Sequence, residues 1–93
     1  MKTVTIQIGN TDDKLAQSRW ASYVACIGEC VHCHSAETHF YACSHGAERW
    51  QNACWVVTGT DRQLGRLKER ITVYRQNFDQ DSVAWTEGET QFV

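Results

Sequence analysis

Ninety-three residues with a net charge of −2, 42% hydrophobic residues and no proline describe one compact domain, residues 1–93, with a single core and no linker. The slightly acidic balance makes nucleic acid no obvious electrostatic partner, and no apolar run reaches transmembrane length, so neither nucleic acid nor a membrane is an expected partner. Five cysteines, an odd number, follow a start without the apolar block of a signal peptide, which points to free thiols in a reducing cytoplasm.

The hydropathy pattern alternates between period two and period 3.6 along the chain. Residues 2–8 read as a strand with Val4, Ile6 and Ile8 on one face. Gly9 and Asn10 turn the chain, and Thr11 is the expected N-cap of a helix with Asp12 and Asp13 in its first turn. That helix runs to about residue 33, with Trp20, Val24, Ile27 and Val31 at helical spacing as its expected core face. Residues 38–44 form a second strand, residues 45–49 a polar loop and residues 53–58 a third strand. Gly59, Thr60 and Asp61 end it and cap a second helix, whose apolar face is Leu64, Leu67, Ile71, Tyr74 and Phe78. A last strand begins near Ser82, with Val83 and Trp85 alternating, and residues 90–93 extend or cover it. The order β-α-β-β-α-β predicts a ferredoxin-like α+β sandwich, a four-stranded antiparallel sheet with two helices on one face. The bare face is the expected place for self-association or binding.

Cys26, Cys30 and Cys33 stand four and three residues apart in the first helix, giving both C-x-x-x-C-x-x-C and C-x-x-C-H. With Val24 at zero on the helical wheel they fall at roughly 180° to 240°, beside Arg19 and Tyr23 and away from the expected core face. Zinc on Cys26, Cys30 and Cys33, completed by His34 or His45, is one alternative, but structural zinc ligands come as two pairs and no second C-x-x-C occurs. Covalent haem requires export and an axial ligand, and Met1 is the only methionine. The string also matches the cluster motif of radical SAM enzymes, whose barrel a chain of this size cannot build. The stripe therefore reads as a contact surface of small, soft apolar side chains, and no cofactor is expected.

Tryptophan is the second unusual feature. Trp20 lies on the expected core face, while Trp50, Trp55 and Trp85 cluster around the third and fourth strands among Gln51, Asn52, Gln80, Asp81, Ser82, Thr86 and Glu87. Indole rings stack on a planar ligand while amides and carboxylates bond its edge. Arg62, Arg66 and Arg70 form one basic stripe on the second helix; a solvated face is its plainer account, although Arg66 or Arg70 would neutralise a phosphate. Cys43 with His39 or His45 is a thiol–imidazole pair that nothing in the sequence positions. Neither G-x-S-x-G nor a phosphate-cradling loop occurs, so no catalytic residue is expected.

Three segments, residues 5–15 (TIQIGNTDDKL), 50–57 (WQNACWVV) and 80–88 (QDSVAWTEG), resemble a small group of uncharacterised bacteriophage and actinobacterial proteins without an assigned activity. The resemblance implies a phage-linked context and no reaction. It places the shared function in residues 50–55 and 80–87, away from the thiols. The expected function is non-enzymatic binding by a phage-type accessory or counter-defence protein in the host cytoplasm, which sequesters a small nucleotide-like ligand or blocks a host protein. Trp50, Trp55 and Trp85 would stack, Gln51, Asn52, Asp81, Ser82 and Glu87 would hydrogen-bond, and Arg66 or Arg70 would neutralise phosphate. Two alternatives from other classes are a zinc-binding or thiol-redox protein built on the cysteine stripe, and a small dimeric ferredoxin-like enzyme resting on fold analogy alone.

Overall fold

The computed structural model describes residues 1–10, 14–44 and 50–93. Six elements follow in chain order: β1 (Lys2–Gly9), α1 (Gln17–His34), β2 (Glu37–Cys43), β3 (Asn52–Gly59), α2 (Asp61–Asn77) and β4 (Ala84–Glu89). The strands form one antiparallel sheet in the order β2-β3-β1-β4, the interleaved arrangement of a ferredoxin-like sandwich.

Period two decides the faces of this sheet. Val4, Ile6 and Ile8 of β1 are buried and stand opposite Val57, Trp55 and Ala53 of β3. Both helices pack on that face, through Trp20, Tyr23, Ile27 and Val31 of α1 and Leu64, Leu67 and Ile71 of α2. Thr3, Thr5 and Gln7 alternate with the buried set and turn to the open face. The expected apolar face of α2 is buried except for Tyr74, which is half-buried with the Arg70 guanidinium 5.5 Å from its ring centre. Thr60 caps this helix: its hydroxyl accepts from the Gln63 backbone N–H at 3.2 Å, and Gln63 Oε1 accepts from the Thr60 N–H at 2.9 Å.

Three expectations are corrected. The first helix begins at Gln17, with Ala16 as its N-cap, because Leu15 spends its backbone N–H and C=O on the side chain of Asn10. Thr11, Asp12 and Asp13, like the loop at 45–49, lie outside the described residues. The core face of α1 is also turned. Tyr23 and Cys30, expected outside, are buried, Cys30 at 5% exposure, whereas Val24 is only half-buried. The cause is the second helix: α1 packs on α2 as well as the sheet, with the Tyr23 and Phe78 ring centres 4.9 Å apart, and two adjoining faces are buried rather than one. Finally, β4 begins at Ala84, and residues 90–93 follow it without joining the sheet, leaving Phe92 exposed.

Tyr23 is the imperfection of this core. Its hydroxyl is buried without a hydrogen-bond partner among the described residues, and burial pushes the phenol up to about 12 against the opposing charge of Arg75. Tyr23→Phe is therefore expected to raise stability by about 1 kcal/mol in urea unfolding, since an unpaired buried hydroxyl is removed. The unfolded phenol ionises near pH 10 and the native one near 12, so the wild type loses stability as pH rises through that window, a loss that Tyr23→Phe escapes.

Candidate functional site

Asn10 and Gln51 continue the β1–β3 ladder by one step, with the Asn10 N–H donating to the Gln51 carbonyl at 2.8 Å. Both side chains are buried on the helix-facing side. Asn10 Nδ2 donates to the Leu15 carbonyl and to Gln51 Oε1, and Asn10 Oδ1 accepts from the Leu15 N–H, all at 2.9 to 3.0 Å. Gln17, in the first turn of α1, exchanges two hydrogen bonds with Gln51 at 2.7 and 3.0 Å. This amide cluster joins the end of β1, the entry to β3 and the start of α1.

The opposite face of the same strand ends forms a cleft of about 460 Å³. Residues 7–9 and Lys14 line it from the first segment, residues 52–54 from β3, and residues 80–82 with Ala84 from the fourth strand and its approach. The hollow comes from short side chains. Gln7 stands in register between Cys54 and Ala84, and Gly9 lies opposite Asn52. A Cβ at Gly9 would come within 3.0 Å of Asn52 Oδ1, so glycine keeps the floor open. Two cations hold the far wall by its backbone: Lys14 Nζ donates to the Asp79 carbonyl, and Arg75 Nη1 to those of Gln80 and Asp81 at 3.0 and 3.4 Å. Asp79 adopts φ 56°, the left-handed turn that brings the chain round. Among the described residues the side chains of Gln7, Asp81 and Ser82 are exposed and make no hydrogen bond, whereas Asn52 Nδ2 donates to the Trp50 carbonyl at 3.3 Å and Gln80 Nε2 to that of Phe78 at 3.1 Å.

Of the residues singled out in the sequence, Asn52, Asp81 and Ser82 meet in this cleft. Gln51 is committed to the amide cluster, and Trp50, at 63% exposure, is not part of the lining. Trp55 is only 3% exposed; it packs against Gly28 of α1, and Tyr41 stacks on it with ring centres 5.1 Å apart. Trp85 pairs with Ile6 and so turns to the helix side, where Lys68 lies 5.1 Å from its ring centre and its Nε1–H donates to Glu87 at 3.1 Å. It borders a separate groove of about 280 Å³ between α2 and β4. Arg66 and Arg70 are exposed on α2 and do not line the cleft. The three indoles and two arginines are thus not gathered around one ligand. Gln7, Gly9, Lys14, Cys54 and Ala84 were not singled out for the site; their signal was Gly9 at a strand end and their membership of the three segments.

The cysteine stripe divides between environments. Cys30 is buried and Cys26 half-buried against the core, while Cys33 is exposed and donates to Glu29 Oε1 at 3.6 Å. Burial pushes the Cys30 thiol up despite Arg70 nearby; partial desolvation and then the bond to Glu29 push Cys33 up. Among the described residues no group of three or more His, Cys, Asp or Glu side chains is placed to hold a metal ion, and His45 lies outside them. His39 bonds Thr58 at 3.0 Å, whereas Cys43 lies beside Tyr41, whose phenol is pushed up by hydrogen bonding with that thiol and by burial.

No protein-family model matches the chain, and comparison with curated proteins gives no match. Among solved structures it is similar to a de novo designed protein, Foldit4, with a TM-score of 0.62 and 13% identity over 97% of this chain and 96% of that one. That likeness concerns the fold alone. No helix among the described residues is long and apolar enough to cross a membrane.

Removing the Asn10 carboxamide leaves the Leu15 backbone groups and Gln51 Oε1 short of partners, so Asn10→Ala is expected to cost about 3 kcal/mol in chemical denaturation. Cys33, although exposed, is expected to alkylate slowly at neutral pH because its raised pKa leaves little thiolate; Glu29→Gln should speed the reaction, read by peptide mass spectrometry.

Proposed function

We propose that the chain is a non-enzymatic binding protein that sequesters a small polar ligand, of the nucleoside and nucleotide class, in the cleft at the end of the sheet. The observation that carries this reading is a convergence. Residues 5–15, 50–57 and 80–88 are far apart in sequence, yet every residue lining the cleft comes from these three segments. Its volume falls in the range of about 300 to 1,000 Å³ usual for small-molecule sites. Carboxamides, a hydroxyl and a carboxylate around a small floor suit a ligand with a hydrogen-bonding edge.

Binding fits the lining better than catalysis. Cys54 is the one thiol in the cleft, and its register neighbours are Gln7 and Ala42, neither of which activates a nucleophile. Sequestration without turnover is also what a phage-type accessory or counter-defence protein would do, the context that the three segments imply.

Cys54 supplies the test. Nucleosides and nucleotides applied to the full chain are expected to slow its alkylation by about tenfold at concentrations of about ten times Kd. Ala84→Leu, which fills the cleft from an exposed position, should abolish that protection while the circular dichroism spectrum is unchanged. Absence of protection by every compound, together with native mass spectra showing no retained small molecule in protein from cells, would overturn the reading.

A further inference from the structure

We infer that two copies of this chain pair face to face through the open side of the sheet, centred on Phe40 and Val56. Strand register sets out what that side presents. Phe40, Val56, Thr5 and Thr86 stand abreast across all four strands, with Phe40 at 53% exposure. The next row, Ala42, Cys54, Gln7 and Ala84, begins the cleft. On the other side of Phe40 the row is Thr58, Thr3 and Gly88, and a Cβ at Gly88 would meet nothing within 4 Å. Among the described residues, Glu37 at the start of β2 is the only charged side chain that the strands place on this side. His39 bonds the Thr58 hydroxyl there at 3.0 Å, and Lys14 and Asp81 lie at the cleft end. Charge is thus confined to the rim, and the centre is neutral and partly apolar, the layout of a protein interface.

Charge selects the occupant. Each copy carries −2 overall, so two copies meet favourably only where neither presents charge. A charged partner surface would lose its hydration against this face and gain no counter-charge, whereas a second copy brings a face as neutral as the one it covers. The area is sufficient. Four strands of six to eight residues cover about 25 by about 19 Å, which is about 500 Å² on each copy and about 1,000 Å² in the pair, the lower bound of a specific interface. Phe92, at 95% exposure, adds to it: Thr90 bonds the Thr3 hydroxyl, which brings the chain beyond β4 to this side. Sheets stacked face to face lie about 10 Å apart, so an exposed ring such as Phe40 reaches the partner's sheet and serves as the anchor of the contact.

The experiment is sedimentation velocity of the full chain in reducing buffer over a range of concentrations, for the wild type and three variants. The wild type is expected to pass from monomer to dimer with a Kd of about 10 µM. Phe40→Lys and Thr86→Lys change exposed side chains at the two borders of the face, on β2 and β4. Each enters a two-fold interface twice and should weaken pairing by about a hundredfold with the circular dichroism spectrum unchanged. Arg66→Glu, exposed on α2, should leave pairing as it is. A wild type that stays monomeric at about 200 µM, twenty times the expected Kd, overturns the inference, as does an assembly larger than a dimer or a dimer weakened by Arg66→Glu. Loss of pairing in Phe40→Lys alone would assign the contact to the free edge of β2, and a dimer that survives both lysines would lie elsewhere; either result overturns it too.

Discussion

Asn10 stands where β1 stops being a strand, and its carboxamide governs the chain on both sides. Its backbone N–H bonds Gln51 one step beyond the Gly9–Asn52 pair, and its side chain takes both backbone groups of Leu15 and the oxygen of Gln51. Burying such a group unpaired costs several kcal/mol, so the arrangement is favourable only with all its partners in place. With Gln17 attached through Gln51, the amides plug the end of the core and set where α1 begins. Gly9 and Asn52, the neighbouring residues on the other face, form the floor and wall of the cleft. One polar contact in the core thus holds the geometry of a polar site outside it.

The cleft needs little beyond that support. A sheet face becomes concave where side chains are short, and Gly9, Cys54, Ser82 and Ala84 are all small. Its outer wall is a turn whose carbonyls are tied by Lys14 and Arg75, so the side chains of Asp81 and Ser82 are presented on an anchored backbone. The aromatic side chains serve the fold instead. Trp55 carries the exposed strand β2 through Tyr41, and Trp85 under Lys68 covers the space between β4 and α2.

Sequence legibility followed the range of the forces involved. The strands of β1 and β3, the Thr60 cap and the Leu64, Leu67 and Ile71 face of α2 rest on periodicity and local hydrogen bonds, and they lie where the pattern puts them. The wheel of α1 misplaced Tyr23 and Cys30 because it assumed a single buried face, and the packing of α2 added a second. The start of α1 was misread for a related reason: the helix begins only at Gln17, because the Asn10 side chain takes both backbone groups of Leu15 two residues earlier. In the site, Asn52, Asp81 and Ser82 were visible as polar residues in unusual segments, whereas Gly9 and Ala84 matter through what they leave empty.

The cysteine stripe shows the same division. Spacing alone places Cys26, Cys30 and Cys33 along one side of a helix, and it does so correctly. Whether that side meets water, metal or protein is not a local property: α2 and the core bury Cys30, while Cys33, one turn on, is left exposed beside Glu29. The sequence by itself determined the six elements, their order and the buried face of β1, because these depend on residues within a few positions of one another. Only the tertiary structure decided which residues meet at the cleft, because strand register brings Gln7 beside Cys54 and Ala84 and turns Trp55 and Trp85 to the other side, while the turn that Arg75 holds brings up Asp81.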